Sequence, residues 1–228
     1  MGRRLTLKGH SLRAVGAAYL DAKRAVIESG YAAEIDWQYD CLTREVSETD
    51  FLRESAWVVL STGMREQVVR KHFPAVSVAF HSWRSAMDIA ADADRCFTAG
   101  FGAFGHAGKI RAICRIAMTV AEVGFEEVLQ GIRELGASYL TRFPYIGPVT
   151  SVHLAKNLGE NVAKPDRHLV RLAAAVGVGT PAELCESISA GTSEHVAVID
   201  VVLWRYANLN RNYCAQFRQL ISWEEQQS

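Results

Sequence analysis

The 228-residue sequence predicts an all-α fold. Three observations predict it: apolar residues recur at helical spacing, glycines fall where the apolar runs end, and the one alternating stretch is too short to build a sheet alone. Phe51, Leu52, Ser55, Ala56, Val59 and Leu60 line one helix face, and Ile110, Ile113, Cys114, Ala117 and Val120 line another. Gly63, Gly124, Gly136, Gly159 and Gly177 each close such a run, because glycine leaves a helix through the left-handed conformation at no steric cost. The alternating stretch is 74–80, Pro-Ala-Val-Ser-Val-Ala-Phe.

This length suits one ordinary domain or two small lobes sharing a cleft. Hydrophobic residues at 49% and charged residues at 22% are proportions that fold, which excludes a disordered or low-complexity chain. Lys plus Arg (25) balance Asp plus Glu (25), so a wholly basic nucleic-acid binder is excluded and any basic surface is local. Two stretches qualify: 1–24, with Arg3, Arg4, Lys8, Arg13, Lys23 and Arg24, and 106–115, with His106, Lys109, Arg111 and Arg115. Residues 34–54 are instead acid-rich. Ordinary solvated helix faces would give the same clusters.

No apolar run approaches the roughly 18 residues of a membrane helix, so no membrane partner is expected. The pattern Met1-Gly2-Arg3-Arg4-Leu5-Thr6 and the apolar stretch Ala14 to Leu20 are read as chance rather than as lipidation or secretion signals. Five scattered cysteines without a CxxC indicate neither a disulfide framework nor a zinc site, and suit a reducing cytoplasm.

Residues 139–172 carry the most specific pattern. They read as a helix end, a tight turn at Phe143-Pro144-Tyr145-Ile146-Gly147, a helix from about Pro148 to Leu158, a connector, and a helix entered at Asp166. Pro148 suits a first helical position, and Gly147 lets a phosphate approach the amides at that helix start. Asp166 follows Pro165 and precedes Leu169, Val170, Leu172 and Ala173, so by itself it reads as an N-cap.

The segment resembles the helix-hairpin-helix of a DNA glycosylase superfamily. Phe143 to Gly147 take the hairpin positions, and Asp166-Arg167-His168-Leu169-Val170-Arg171 take the family's aspartate, histidine and arginine frame. Tyr145 departs from the pattern by standing where the family usually has its first glycine. Further resemblance at Thr49 to Val69 and Ala99 to Ile116 brings the coverage to roughly residues 49 to 177. The resemblance implies a two-lobed helical fold with the active site in the interlobe cleft: 49–165 as central lobe, and 1–48 with 166–228 as the other. The family's iron–sulfur loop needs four nearby thiolates, and only Cys214 lies near the C-terminus, so no cluster, metal or other cofactor is expected.

The same resemblance makes Asp166 the catalytic candidate. A carboxylate held beside C1′ stabilises the cationic sugar that forms as the N-glycosidic bond breaks, and can orient the attacking water. Bifunctional relatives place a lysine nucleophile where this chain has Val149, which implies a monofunctional enzyme. Lys156, the nearest amine, reads as a solvated or phosphate-facing charge. Expected DNA contacts are Tyr145, Gly147, Val149, Thr150 and Lys109, with Met64 or Arg65 of the 61–65 loop as the wedge replacing a flipped base; a plain helix-connecting turn is the alternative there. Tyr31, Trp37, Trp57, Trp83, Trp204 and Tyr206 are either stacking partners or core. His168 and Arg171 are given no chemical step. The expected partner is double-stranded DNA presenting a flipped nucleotide to a monomer. The base stays open between repair of damage and excision of modified bases from phage DNA in antiviral defence. A non-catalytic hairpin clamp and a lyase acting through Lys156 are the rivals.

Overall fold

The computed structural model describes residues 12–227. Among them every regular element is helical, which bears out the all-α expectation. Arg3, Arg4, Lys8 and the pattern at 1–6 lie outside the described residues. The chain divides into two compact units: residues up to Arg44 together with those from Gly159 onward, and Glu45–Leu158.

Helix α1 (Leu12–Val26), a π-helical turn (Ile27–Tyr31) and α2 (Ala32–Thr43) open the discontinuous unit. Spacing of three and four along α1 puts Ala14, Val15, Ala18, Tyr19, Ala22 and Val26 on one buried stripe.

The interior unit runs from α3 (Glu48–Ser61) through α4 (Glu66–Ala79), a 3₁₀ turn (His81–Trp83), α5 (Ala86–Ala91), α6 (Ala93–Phe104), α7 (Ala107–Val123), α8 (Phe125–Leu135) and α9 (Ala137–Leu140) to α10 (Pro148–Asn157). A reciprocal cap starts α3: Asp50 N–H donates to Ser47 Oγ, and Ser47 N–H donates to the Asp50 carboxylate. Helix α3 packs on α7 and α10, α4 on α6, and α5 on α7. The two faces read from the sequence on α3 and α7 are both buried. Residues 74–80 fall in and just after α4 rather than in a strand. Val76 and Phe80, four apart, are both fully buried while Val78 is 75% exposed, so the burial follows the helical period although the sequence alternates.

Helices α11 (Arg167–Ala175), α12 (Pro181–Thr192), α13 (Val196–Leu209) and α14 (Tyr213–Gln226) complete the discontinuous unit. Its core gathers Tyr19, Leu169, Leu172, Ile199 and Phe217 around α1. The connector 159–165 belongs here rather than with the interior residues, because Ala197 N–H donates to Asn161 Oδ1 and Lys164 N–H donates to Asp200 Oδ1. Gly63, Gly124, Gly136, Gly159 and Gly177 all have positive φ where helices end.

Candidate functional site

The hairpin is a β-turn fastened at both ends. Phe143 and Ile146 are each 3% exposed, and Ile146 N–H donates to the Phe143 carbonyl at 3.1 Å. Between them stand Pro144, with its preset φ, and Tyr145 at φ 65°: proline followed by positive φ is the signature of a type II turn. Such a turn favours glycine at its third position, and this chain bends tyrosine into it. The Tyr145 ring is consequently thrown outward, 45% exposed, with its edge toward His106 and its hydroxyl over Gly108.

Gly147 lies at φ −92°, ψ −176°, extended backbone open to any residue, so its value is the bare approach it leaves. Its own amide is engaged, donating to Thr150 Oγ1 at 2.7 Å. Pro148 has no N–H and Gly147 has no side chain to cap with, so the donors at the start of α10 are the amides of Val149 and Thr150. The Val149 side chain is 42% exposed beside them. Just outside the turn, the exposed Arg115 and Arg142 flank a shallow groove shared with Pro144, Met118, Thr119 and Glu122. Arg142 also stacks on the Tyr139 ring at 3.8 Å. Its place immediately before the turn is the sequence signal that would have added it to the basic residues expected here.

Lys109 is corrected by the structure. It is 3% exposed, and its ammonium donates at 2.6 Å to the carbonyls of both Leu60 and Thr62. It therefore caps the C-terminus of α3 from below instead of meeting a phosphate, and burial pulls its pKa below the usual lysine value. Above it the 62–65 turn is exposed, including Met64 and Arg65, with Gly63 at φ 68°. The first turn of α7 thus joins two of the predicted contact segments: Lys109 holds the Met64–Arg65 loop, and Gly108 lies under Tyr145. Lys156 is corrected likewise: at 5% exposure it is a buried group and not a solvated charge.

Asp166, in the discontinuous unit, is the N-cap of α11: its Oδ1 accepts the His168 N–H at 2.7 Å. Among the described residues its Oδ2 has no hydrogen-bond partner. The entry to α11 is held from two sides: Asp200 of α13 accepts the Lys164 N–H of the connector, and Tyr213 donates its hydroxyl to the His168 carbonyl and sets its ring against the imidazole. Among the described residues His168 Nδ1 is buried without a hydrogen bond, and burial lowers the imidazole's pKa despite the nearby Asp166. Arg171 faces the Tyr213 phenol, so it serves the same packing.

The aromatic candidates sort by burial. Trp83 and Tyr206 are core. Tyr31 and Trp204 both lie against the Arg205 guanidinium, which is bound by Glu34 through two hydrogen bonds. Trp57 is half-buried edge-on to Phe73, and Trp37 is half-buried. Among the described residues no helix is long and apolar enough to cross a membrane. Comparison with known protein families, curated proteins and solved structures yields no match.

Proposed function

We propose that this chain is a DNA glycosylase without lyase activity, which releases a flipped damaged or modified base and leaves an abasic site. The observation that carries the reading is the half-engaged carboxylate of Asp166: Oδ1 is fixed by its own helix while Oδ2 has no partner among the described residues. As the C1′–N bond breaks, its electron pair leaves with the base, the sugar becomes cationic, and water adds to C1′ in its place. Oδ2 is the group that would face that charge and orient the water. The amides of Val149 and Thr150, with Arg142 and Arg115, would hold the phosphodiester backbone without reading sequence. The burial of Lys156 and the valine at 149 both speak against an amine nucleophile.

Duplexes carrying oxidised, alkylated, deaminated or otherwise modified bases, incubated with the protein and then treated with hot alkali, test this. Breaks that need alkali are expected, and mass spectrometry of the freed base identifies the substrate. Breaks without alkali would establish a lyase. Intact strands throughout, with DNA still bound, would establish a silent hairpin clamp. Asp166→Asn keeps a capping side chain and should lower excision by about 100-fold or more while binding persists.

A further inference from the structure

We infer that His81, Asp92 and Cys96 form a binding site for one zinc-class divalent cation within Glu45–Leu158, a site independent of the DNA reaction proposed above. The His81 Nε2 lies 3.3 Å from Asp92 Oδ2, and one ligand atom from each of His81, Asp92 and Cys96 falls within 4.8 Å of the other two. Two ligands on a tetrahedral zinc, each roughly 2.0–2.1 Å from the metal, stand about 3.3 Å apart, so the imidazole and carboxylate already have the required separation. Imidazole, carboxylate and thiolate together suit zinc and its neighbours, whereas magnesium and calcium take oxygen ligands.

The backbone explains how distant residues meet. Asp92 ends α5 and begins α6, and the Cys96 amide donates to the Asp92 carbonyl at 2.9 Å, so the two lie one turn apart on one helix face. His81 arrives through three consecutive non-glycine residues in the left-handed region, His81, Ser82 and Trp83, at φ 52°, 54° and 64°. Such a run persists only where surrounding contacts determine it. At one end the determinant is Trp83, 2% exposed, stacked on Phe80 and donating Nε1–H to Ser77 Oγ. At the other end it is His81 against Asp92. The thiol faces inward at 1% exposure while the His81 and Asp92 side chains are 33% and 29% exposed, so the fourth coordination position opens to water. On binding, the Cys96 S–H bond gives its proton to solvent and a metal–thiolate bond forms, with no change of oxidation state. The second Asp92 oxygen stays with Arg95, 3.8 Å away.

Zinc and cobalt(II) are the probes, on the chelator-treated chain. About one zinc per chain in equilibrium dialysis, a thiolate-to-cobalt charge-transfer band, and a melting temperature raised by several degrees are expected. His81→Gln and Cys96→Ser should each weaken zinc binding at least about tenfold, while Cys114→Ser, which alters the neighbouring thiol, should leave it unchanged. Far-ultraviolet circular dichroism shows whether each variant is folded. Should a variant unfold, the wild-type cobalt spectrum decides: a thiolate band supports the site and its absence overturns it. Folded wild type that binds no zinc, or binding that survives His81→Gln and Cys96→Ser, overturns the site.

Discussion

Lys109 reaches the Leu60 carbonyl across 49 positions of sequence, and the same ammonium takes the Thr62 carbonyl. A buried cation is thereby spent on the end of a helix. Lys109→Met keeps the stem and removes the donors, leaving carbonyls at the end of α3 unmet. It should destabilise the protein by about 1–3 kcal/mol in denaturant titrations. In DNA binding, Lys109→Met should leave the salt dependence unaltered, whereas Arg65→Ala should lessen the slope of log K against log salt by about one. A Lys109→Met slope reduced as far as that of Arg65→Ala would show that Lys109 touches phosphate after all.

At Tyr145 the constraint is backbone sign. Asparagine tolerates the left-handed region, so Tyr145→Asn should stay within about 1 kcal/mol of wild type, while the β-branched Tyr145→Val should cost about 1–3 kcal/mol. Equal midpoints for the two variants in urea would mean that the turn has another shape. Loss of DNA affinity in Tyr145→Asn at unchanged stability would assign the exposed phenol a contact role.

Gly131 lies under the Tyr139 ring, whose nearest carbon is only 1.9 Å from where a Cβ would stand. Alanine normally gains roughly 1 kcal/mol over glycine inside a helix. Here that gain should be overwhelmed, and Gly131→Ala should lose a net of about 1–3 kcal/mol through overpacking. The displaced ring carries Arg142 with it, so DNA affinity should fall as well. A stabilised variant, read by its melting temperature, would contradict the packing.

His168 gives a pH signature. Its folded pKa is depressed below the ordinary 6.5 by burial, so above that value neither state carries the extra proton and nothing is lost. Below it the unfolded chain takes up a proton that the folded protein resists, and stability falls as pH falls. His168→Phe keeps a ring against Tyr213 and removes the titration. Between about pH 7.5 and 5.5 its melting temperature should fall by fewer degrees than that of wild type. Parallel curves would mean that His168 titrates alike in both states.

Local chemistry was legible where it was local. The capped entry of α11 at Asp166, the proline-led start of α10 and the buried faces of α3 and α7 follow from residues within a turn or two of one another. Lys109 was not legible, because a lysine's sign says nothing of burial and its acceptors are backbone oxygens of another helix. Nor was the stretch 74–80, whose alternating letters hide the four-residue spacing of Val76 and Phe80 that tertiary burial selects. The His81, Asp92 and Cys96 cluster needed a left-handed turn that no glycine announced. The Tyr145 conformation was foreshadowed only by the preceding Pro144, which presets the first half of the turn.

Helix α1 finds its apolar partners in α12, α13 and α14. A ribosome making this chain therefore releases α1 well before those partners are translated. The stretch from Glu45 to Leu158 holds its own core and can settle while still tethered to the exit tunnel. Ala14, Val15, Ala18 and Tyr19 stay wetted until α12, α13 and α14 have been made, and over that span α1 is a sticky helix that invites a chaperone.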